Sequence, residues 1–260
     1  MKYRKNDVAS FFYYSEGVLA SIEKICSLLR KYPFVLEPLR GINEEVERLF
    51  SSQGFLLYPT VKKTTLFYDQ LTDCFFKILQ PLKLKYRVFS LLKNRAKSIY
   101  RLSEYLLSQG IKVPEVMAYG IFKRERKPFF VARRMKGKPL YDILIREKGT
   151  LSKEAYKKVA DEVVRFHRFG YWFGDAHLSH IFMNDGAVSG FIDIDIIRKN
   201  KPFSIKKLAK DVAGLNHPEV PLTAAEKKEL LHYYMEGMNI QNGESFAQLV
   251  KLYTVRRWKA

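Results

Sequence analysis

Cysteine is nearly absent from this chain: Cys26 and Cys74 are the two it has. Both sit in apolar surroundings without partner spacing, which argues against a zinc site or a disulfide framework and fits a reducing compartment. They read as core thiols. Long apolar runs are missing as well. No stretch approaches the ~18 residues of a membrane span, and the opening MKYRKNDVASFF has no continuous apolar segment followed by a small-residue cleavage site, so neither a spanning helix nor a secretory leader is expected.

Acidic residues are scarce too. Asp and Glu number 27 against 46 Lys and Arg, a formal charge of +19. Between Asp73 and Glu104 there is no acid at all, while Lys77, Lys83, Lys85, Arg87, Lys93, Arg95, Lys97 and Arg101 fall in that interval. A block of one sign repels itself and calls for counter-anions: nucleic acid, anionic lipid headgroups or a phosphorylated glycolipid. A lysine-rich solvated surface is the plainer reading of the same charge. Aromatic residues are not interleaved with the basic blocks, which argues against a nucleic-acid partner.

What is present suffices for a globular body. An apolar fraction of 47% can bury one large core or two small ones. From Phe11 to Leu29 the spacing of Val18, Ile22, Ile25, Leu28 and Leu29 predicts a helix, and Glu44 and Glu45 mark the first turn of a second one beginning at Asn43. Residues 1–54 therefore read as a helical extension. At Phe55 the texture turns to strand. Val61 to Tyr68 and Cys74 to Leu79 are β-rich runs, and two more, Val116 to Phe122 and Pro128 to Ala132, flank the charged reversal KRERK. Between the pairs, Asn94 to Ser108 carries a helical stripe ending at Gly110. Lys77 lies inside an apolar strand, where its ammonium either snorkels from a sheet edge or meets a buried anion.

After RRMKGKPLYDIL, in which Gly137 and Pro139 break regular structure, the chain reads as mainly helical. Ser152 caps a helix running to about Phe169, and Thr223 with Glu226 forms a capping box for a helix over Ala224 to Glu236. His167 on the former is read as a structural histidine. The closing YTVRRWKA sets Trp258 among Arg256, Arg257 and Lys259, a cluster suited to a membrane interface or to a frayed end.

The most informative stretch is GYWFGDAHLSHIFMNDGAVSGFIDIDIIR, Gly170 to Arg198. Asn184-Asp185-Gly186 predicts a hairpin whose return brings Asp193 back to His180 and Asp175. In FIDID a period of two would set Asp193 and Asp195 on one face, costly unless a divalent cation neutralises them. The alternative is a half-exposed edge strand with Asp195 paired to Arg198 and Asp193 capping a turn.

FGDAHLSHIFMN followed by FIDID resembles the catalytic loop and metal-binding segment of the protein-kinase-like phosphotransferases, and most of all the lipopolysaccharide kinases that phosphorylate heptose or Kdo sugars of the inner core. The resemblance extends over roughly residues 55–236 and implies an α+β, two-lobed protein-kinase-like fold: a small β-rich N-lobe over 55–134, a helical C-lobe over 135–260 and the extension 1–54. It implies an ATP-dependent sugar kinase in which Asp175 is the catalytic aspartate, His180 and Asp193 hold Mg²⁺ or Mn²⁺, Lys77 holds the nucleotide phosphates, and the backbone around Arg133 to Met135 meets adenine. It further implies an anionic glycolipid acceptor from the lipopolysaccharide core, and a cytoplasmic protein peripheral to an anionic membrane face. The chain departs from the pattern in three respects. TVKKTTLFYD, with Lys62, Lys63, Thr64 and Thr65, stands where a glycine-rich loop would lie. Ile99 stands where a helix glutamate is expected, with Glu104 as the acid of that helix. Phe173 and Gly174 replace the His and Arg of an HRD loop. These departures keep open a kinase for another small molecule or for protein, and a pseudokinase that binds partners.

Overall fold

The computed structural model describes residues 1–36, 44–58, 64–80 and 94–258. The chain divides into two compact units, one of residues 1–107 with 114–134 and the other of 108–113 with 135–260.

A seven-stranded sheet organises the first unit. Its strands are β1 (Lys2–Lys5), β2 (Ala9–Tyr13), β3 (Phe55–Tyr58), β4 (Thr64–Asp69), β5 (Cys74–Leu79), β6 (Val116–Phe122) and β7 (Lys127–Arg133), ordered β1-β2-β6-β7-β5-β4-β3 with antiparallel neighbours. Residues of alternate strand positions point to opposite faces. Phe11, Phe67, Phe76 and Phe129 meet Val18, Ile22, Ile25 and Leu29 of α1 (Glu16–Lys31) and Val46 and Phe50 of α2 (Glu44–Ser52) in one buried cluster. Cys26 and Cys74 are free thiols in the same cluster, and burial pushes Cys26 up to about 11.

Helical spacing from Phe11 is overridden at its start. ASFFY alternates buried and half-buried residues and pairs with β6 from Ala9 to Tyr13, and the helix begins after Ser15, whose side chain accepts the Val18 N–H. A buried Asp69 at the end of β4 ties helix to sheet. It accepts hydrogen bonds from Ser21 of α1 (2.5 Å), from the Leu71 N–H (3.0 Å) and from Thr72.

Directly opposed residues share a face, so Tyr119, Phe130, Lys77 and Leu66 form a row across β6, β7, β5 and β4 on the side away from that cluster. Lys77 is thus on an interior strand, which removes the edge-strand reading. Tyr119 stacks on Tyr100 of α3 (Arg95–Ser108) with 5.0 Å between ring centroids. Lys62, Lys63, Lys83, Lys85, Arg87 and Lys93 lie outside the described residues.

The second unit is mainly helical: α4 (Lys153–Arg168), α5 (Ile205–Leu215), α6 (Ala224–Gly237) and α7 (Gly243–Trp258). The Ser152 cap and the Thr223/Glu226 capping box form as expected. Two small sheets carry its loops. One joins β8 (Lys138–Pro139), β10 (Ile181–Asn184) and β11 (Ala187–Phe191); the other pairs β9 (Tyr171–Trp172) with β12 (Arg198–Lys199). Among the described residues, no helix is long and apolar enough to cross a membrane.

Because Phe50 is fully buried and stacks on Phe67 at 5.4 Å, its truncation leaves a cavity between α2 and the sheet. Phe50→Ala should lower the unfolding free energy by about 3–5 kcal/mol, measured by urea denaturation. A loss under ~1 kcal/mol would mean that α2 does not share this core.

Candidate active site

The β10–β11 hairpin turns through Asp185 and Gly186, both at positive φ (49° and 71°), with Asn184 opposite Ala187. This two-residue turn suits the twist of antiparallel strands, and Asp and Gly tolerate its left-handed positions. At the open end the Ile192 N–H donates to the His180 carbonyl (2.9 Å), closing the base of the hairpin. That bond brings His180 beside Asp193, from which the sequence separates it by the whole hairpin. His180 Nε2 lies 3.4 Å from Asp193 Oδ2, and His180 Nδ1 lies 3.1 Å from the Asp175 carbonyl oxygen.

FIDID is not a strand. β11 ends at Phe191, Asp193 adopts a left-handed conformation (φ 63°, ψ 43°), and Ile194–Ile196 is a 3₁₀ turn. Asp pays little to enter that region, and one such residue destroys the period of two. Asp193 and Asp195 consequently do not share a strand face. Asp193 turns to His180, while Asp195 is buried and its backbone carbonyl accepts from Arg198 (2.8 Å).

The chemistry of the His180–Asp193 pair points to a cation. A carbonyl can only accept, so Nδ1 of His180 donates to Asp175 and a neutral imidazole presents a bare Nε2 to a carboxylate oxygen. Two acceptors facing each other at 3.4 Å need a proton or a metal ion between them. An imidazolium proton on Nε2 satisfies the pair as it stands, and a divalent metal between Nε2 and the carboxylate would satisfy it as well. Among the described residues, no group of three or more His, Cys, Asp or Glu side chains gathers around one point, so backbone, water or substrate oxygens would complete the coordination.

Asp175 stands on a loop fixed from below. Gly174 has φ 81°, and a Cβ there would lie 2.7 Å from the Ile196 carbonyl oxygen, so the turn that presents Asp175 admits glycine alone without strain. The preceding Phe173 N–H donates to Asp211 Oδ2 of α5 at 2.6 Å. The same oxygen is 3.2 Å from His167 Nε2, and His167 Nδ1 is 2.7 Å from the Tyr234 hydroxyl. A carboxylate accepts, so Nε2 of His167 carries the proton given to Asp211, and in the neutral imidazole Nδ1 is then left to accept from the Tyr234 hydroxyl, whose acidity burial suppresses. All three side chains are buried. One turn further along α5, Gly214 lies against the Ala176 carbonyl where any Cβ would collide.

His167 is thus structural, and Asp211 is the residue that sequence reasoning missed. Its signal was one acid on the apolar side of a basic helix, in KDVAGL.

The Asp175 side chain is 65% exposed, and its Oδ1 pairs with Arg257 Nη2 of α7 at 2.8 Å. Trp258, whose cluster reads as suited to a membrane interface or to a frayed end, turns inward. Its indole N–H donates to the Ala213 carbonyl (3.1 Å) and its ring lies 4.4 Å from His217 and 5.7 Å from His177. Burial, with the positive fields of His180, Arg257 and His217 added, lowers His177 from the ordinary imidazole value, and its Nδ1 accepts the Ser179 N–H (3.1 Å).

The remaining expected residues lie elsewhere. Met135 packs its thioether against Gly190. Just before it, Arg133 pairs with Glu115 (3.2 Å) and Arg134 with Asp73 (2.6 Å). Lys77 belongs to the first unit, on β5. In α3, Ile99 is buried, and Glu104 Oε1 accepts from Tyr14 (2.8 Å) and Tyr100. Thr65 is buried and accepts from Gln80 (3.1 Å).

The sheet-based first unit, the helical second unit and the glycine-borne aspartate followed by a hairpin define a protein-kinase-like fold. The lipopolysaccharide kinase (Kdo/WaaP) family matches residues 82–234, more than half of the chain, and the chain belongs to that family. The match begins after Lys77. Among solved structures, a co-crystal of WbdD with the kinase inhibitor LY294002 aligns at TM-score 0.50 and 15% identity, over 75% of this chain and 44% of that one. Monomeric WbdD aligns at 0.49 and 16% over 74% and 44%, and vaccinia related kinase 3 at 0.40 and 11% over 76% and 70%. The chain therefore spans less than half the length of the WbdD chains. No curated protein matches it.

Asp211→Ala removes the shared acceptor of Phe173 and His167. Leaving the buried Phe173 N–H and His167 N–H without their acceptor should cost about 1–3 kcal/mol of stability for each, measured by chemical denaturation. Unchanged stability would mean that the loop is not held by this carboxylate.

Proposed function

We propose that this protein is an ATP-dependent kinase that phosphorylates a sugar hydroxyl, of heptose or Kdo type, in the lipopolysaccharide inner core. The observation that carries the proposal is the convergence of Asp175, His180 and Asp193 on one braced hairpin and loop in a member of this family. Phosphoryl transfer is catalysed mainly by positioning and by charge neutralisation, so a small set of well-held groups suffices.

In this reading Asp175 accepts the hydrogen bond of the attacking hydroxyl. As the sugar oxygen bonds to the γ-phosphorus, its proton passes to Asp175 and the bond from phosphorus to the bridging oxygen breaks, releasing ADP. His180 and Asp193 hold a divalent ion, Mg²⁺ or Mn²⁺, which when bound neutralises phosphate charge; imidazole is the less usual ligand for Mg²⁺. Lys77, a cation on an interior strand among apolar neighbours, contacts nucleotide phosphate, and the backbone near Met135 meets adenine. The family model's later start leaves Lys77 to rest on its strand position alone. Glu104, held by two tyrosines, is a poor substitute for the kinase helix glutamate.

Asp175→Asn should keep ATP affinity within a few fold and lower turnover by ~10²-fold or more, the scale of general-base catalysis. The assay is transfer of labelled γ-phosphate to core oligosaccharides. In parallel, Lys77→Ala and Asp193→Asn should each diminish the rise in melting temperature that ATP with Mg²⁺ or Mn²⁺ produces. Transfer by wild type that the Asp175 change leaves intact removes Asp175 from the mechanism. Nucleotide binding without transfer to any acceptor favours the pseudokinase.

The charge of +19 suits an anionic glycolipid at the cytoplasmic face of a membrane, with the protein peripheral to it. Co-sedimentation with liposomes should rise with anionic lipid content and fall as salt is raised, since the Debye length is only ~8 Å at ~0.15 M. Binding indifferent to both would exclude this surface.

A further inference from the structure

The ion pair between Asp175 and Arg257 joins the candidate catalytic loop to the far end of α7, residues 82 positions apart in sequence. Exposed ion pairs contribute little to stability, commonly ~0–1 kcal/mol, so a stabilising role does not explain this one. Its setting does. Arg257 is less open than its partner, with 29% of its side chain exposed against 65% for Asp175. The neighbouring Trp258 is anchored by its hydrogen bond to Ala213 and by the rings of His217 and His177. α5, to which Trp258 is anchored, also carries Asp211, which holds Phe173, and Gly214, which abuts Ala176. The catalytic loop, α5, α7 and Arg257 therefore form a closed circuit that returns to Asp175. Among the described residues, Oδ1 of Asp175 takes the arginine bond and Oδ2 takes none.

We infer that Arg257 is a positioning residue for phosphoryl transfer: its guanidinium holds one oxygen of Asp175 so that the other is turned to the acceptor hydroxyl. The inference rests on the role of Asp175 given above. A mostly exposed aspartate samples several rotamers, and each unproductive one takes its oxygen out of line with the hydroxyl. A fixed guanidinium removes that freedom before substrate arrives, and misplacement of a reacting group by about 1 Å can cost ~10²-fold in rate. The last turn of α7 is by this account part of the catalytic centre.

The test compares wild type, Asp175→Asn, Arg257→Gln and the double variant in the full chain, with Arg257→Lys as the conservative replacement and exposed Arg256→Gln as control. Arg257→Gln should lower turnover by ~10-fold to ~10²-fold with the KM values for ATP and acceptor changed less than ~3-fold. Arg257→Lys should recover part of the loss, and Arg256→Gln should match wild type. In the Asp175→Asn background, removing Arg257 should cost almost nothing further, because both changes interrupt one interaction.

Equal losses in both backgrounds, unchanged turnover, a higher acceptor KM at constant turnover, or faster turnover on removing Arg257 each overturn the inference. Faster turnover would mean that the arginine occupies the acceptor's place. Full activity of Asp175→Asn sinks the role of Asp175 and this inference together, whereas loss on changing Asp175 but not Arg257 sinks the inference alone. A measurement independent of turnover is the set of Asp175 side-chain NMR couplings. A single rotamer in wild type that averages in Arg257→Gln supports the positioning role, and averaging already in wild type refutes it.

Discussion

Much of the second unit's geometry depends on one buried carboxylate. Asp211 sits on α5 with 1% exposure and receives the Phe173 N–H and His167, which is in turn held by Tyr234. A carboxylate so deep is costly unless its hydrogen bonds are supplied, and here they come from two directions, the loop ahead of Asp175 and the end of α4, with Tyr234 of α6 holding His167 from behind. The carboxylate thus converts an irregular segment into a fixed platform. Glycines make the approach possible, Gly174 by its positive φ and Gly214 by leaving room for the Ala176 carbonyl.

The platform and the hairpin solve different halves of one problem. Asp211 sets the height and direction of the loop on which Asp175 stands, while the hairpin base sets the approach of His180 to Asp193. His180 links the halves through its bond to the Asp175 carbonyl. A single imidazole therefore reports on both: its Nδ1 side is structural and its Nε2 side faces the carboxylate that a cation would share. The pairing of Arg198 and Lys199 with Trp172 and Tyr171 fastens the segment leaving this region to the segment entering it.

Local chemistry made much of this fold legible in the sequence. CFFKIL, the Ser152 cap, the Thr223/Glu226 box and the Asp-Gly turn each contain their own instruction, and each forms within a residue or so of expectation. What escaped was non-local. KYRK of β1 is wholly exposed and exists by backbone pairing with β2, so no apolar period announces it. ASFFY merges by spacing with the helix that follows, and only its partner β6 makes it a strand. The Ile-Asp alternation of FIDID imitates a strand whose backbone a single left-handed aspartate forbids. Asp211 and Arg257 act on residues 38 and 82 positions away, a reach to which periodicity is blind.

The hairpin also separates chemistry from shape. His180 and Asp193 meet at its base, while Asp185 and Gly186 form its tip with exposed neighbours Asn184 and Ala187. Because the base is closed by its own hydrogen bond, the two strands can lengthen together at the tip without changing which atoms face each other below. The tip is therefore a natural port: a reporter group or a short recognition sequence spliced between Asp185 and Gly186 would ride on a rigid stem, and descendants of this chain could acquire new contacts there while the pair at the root stayed in register.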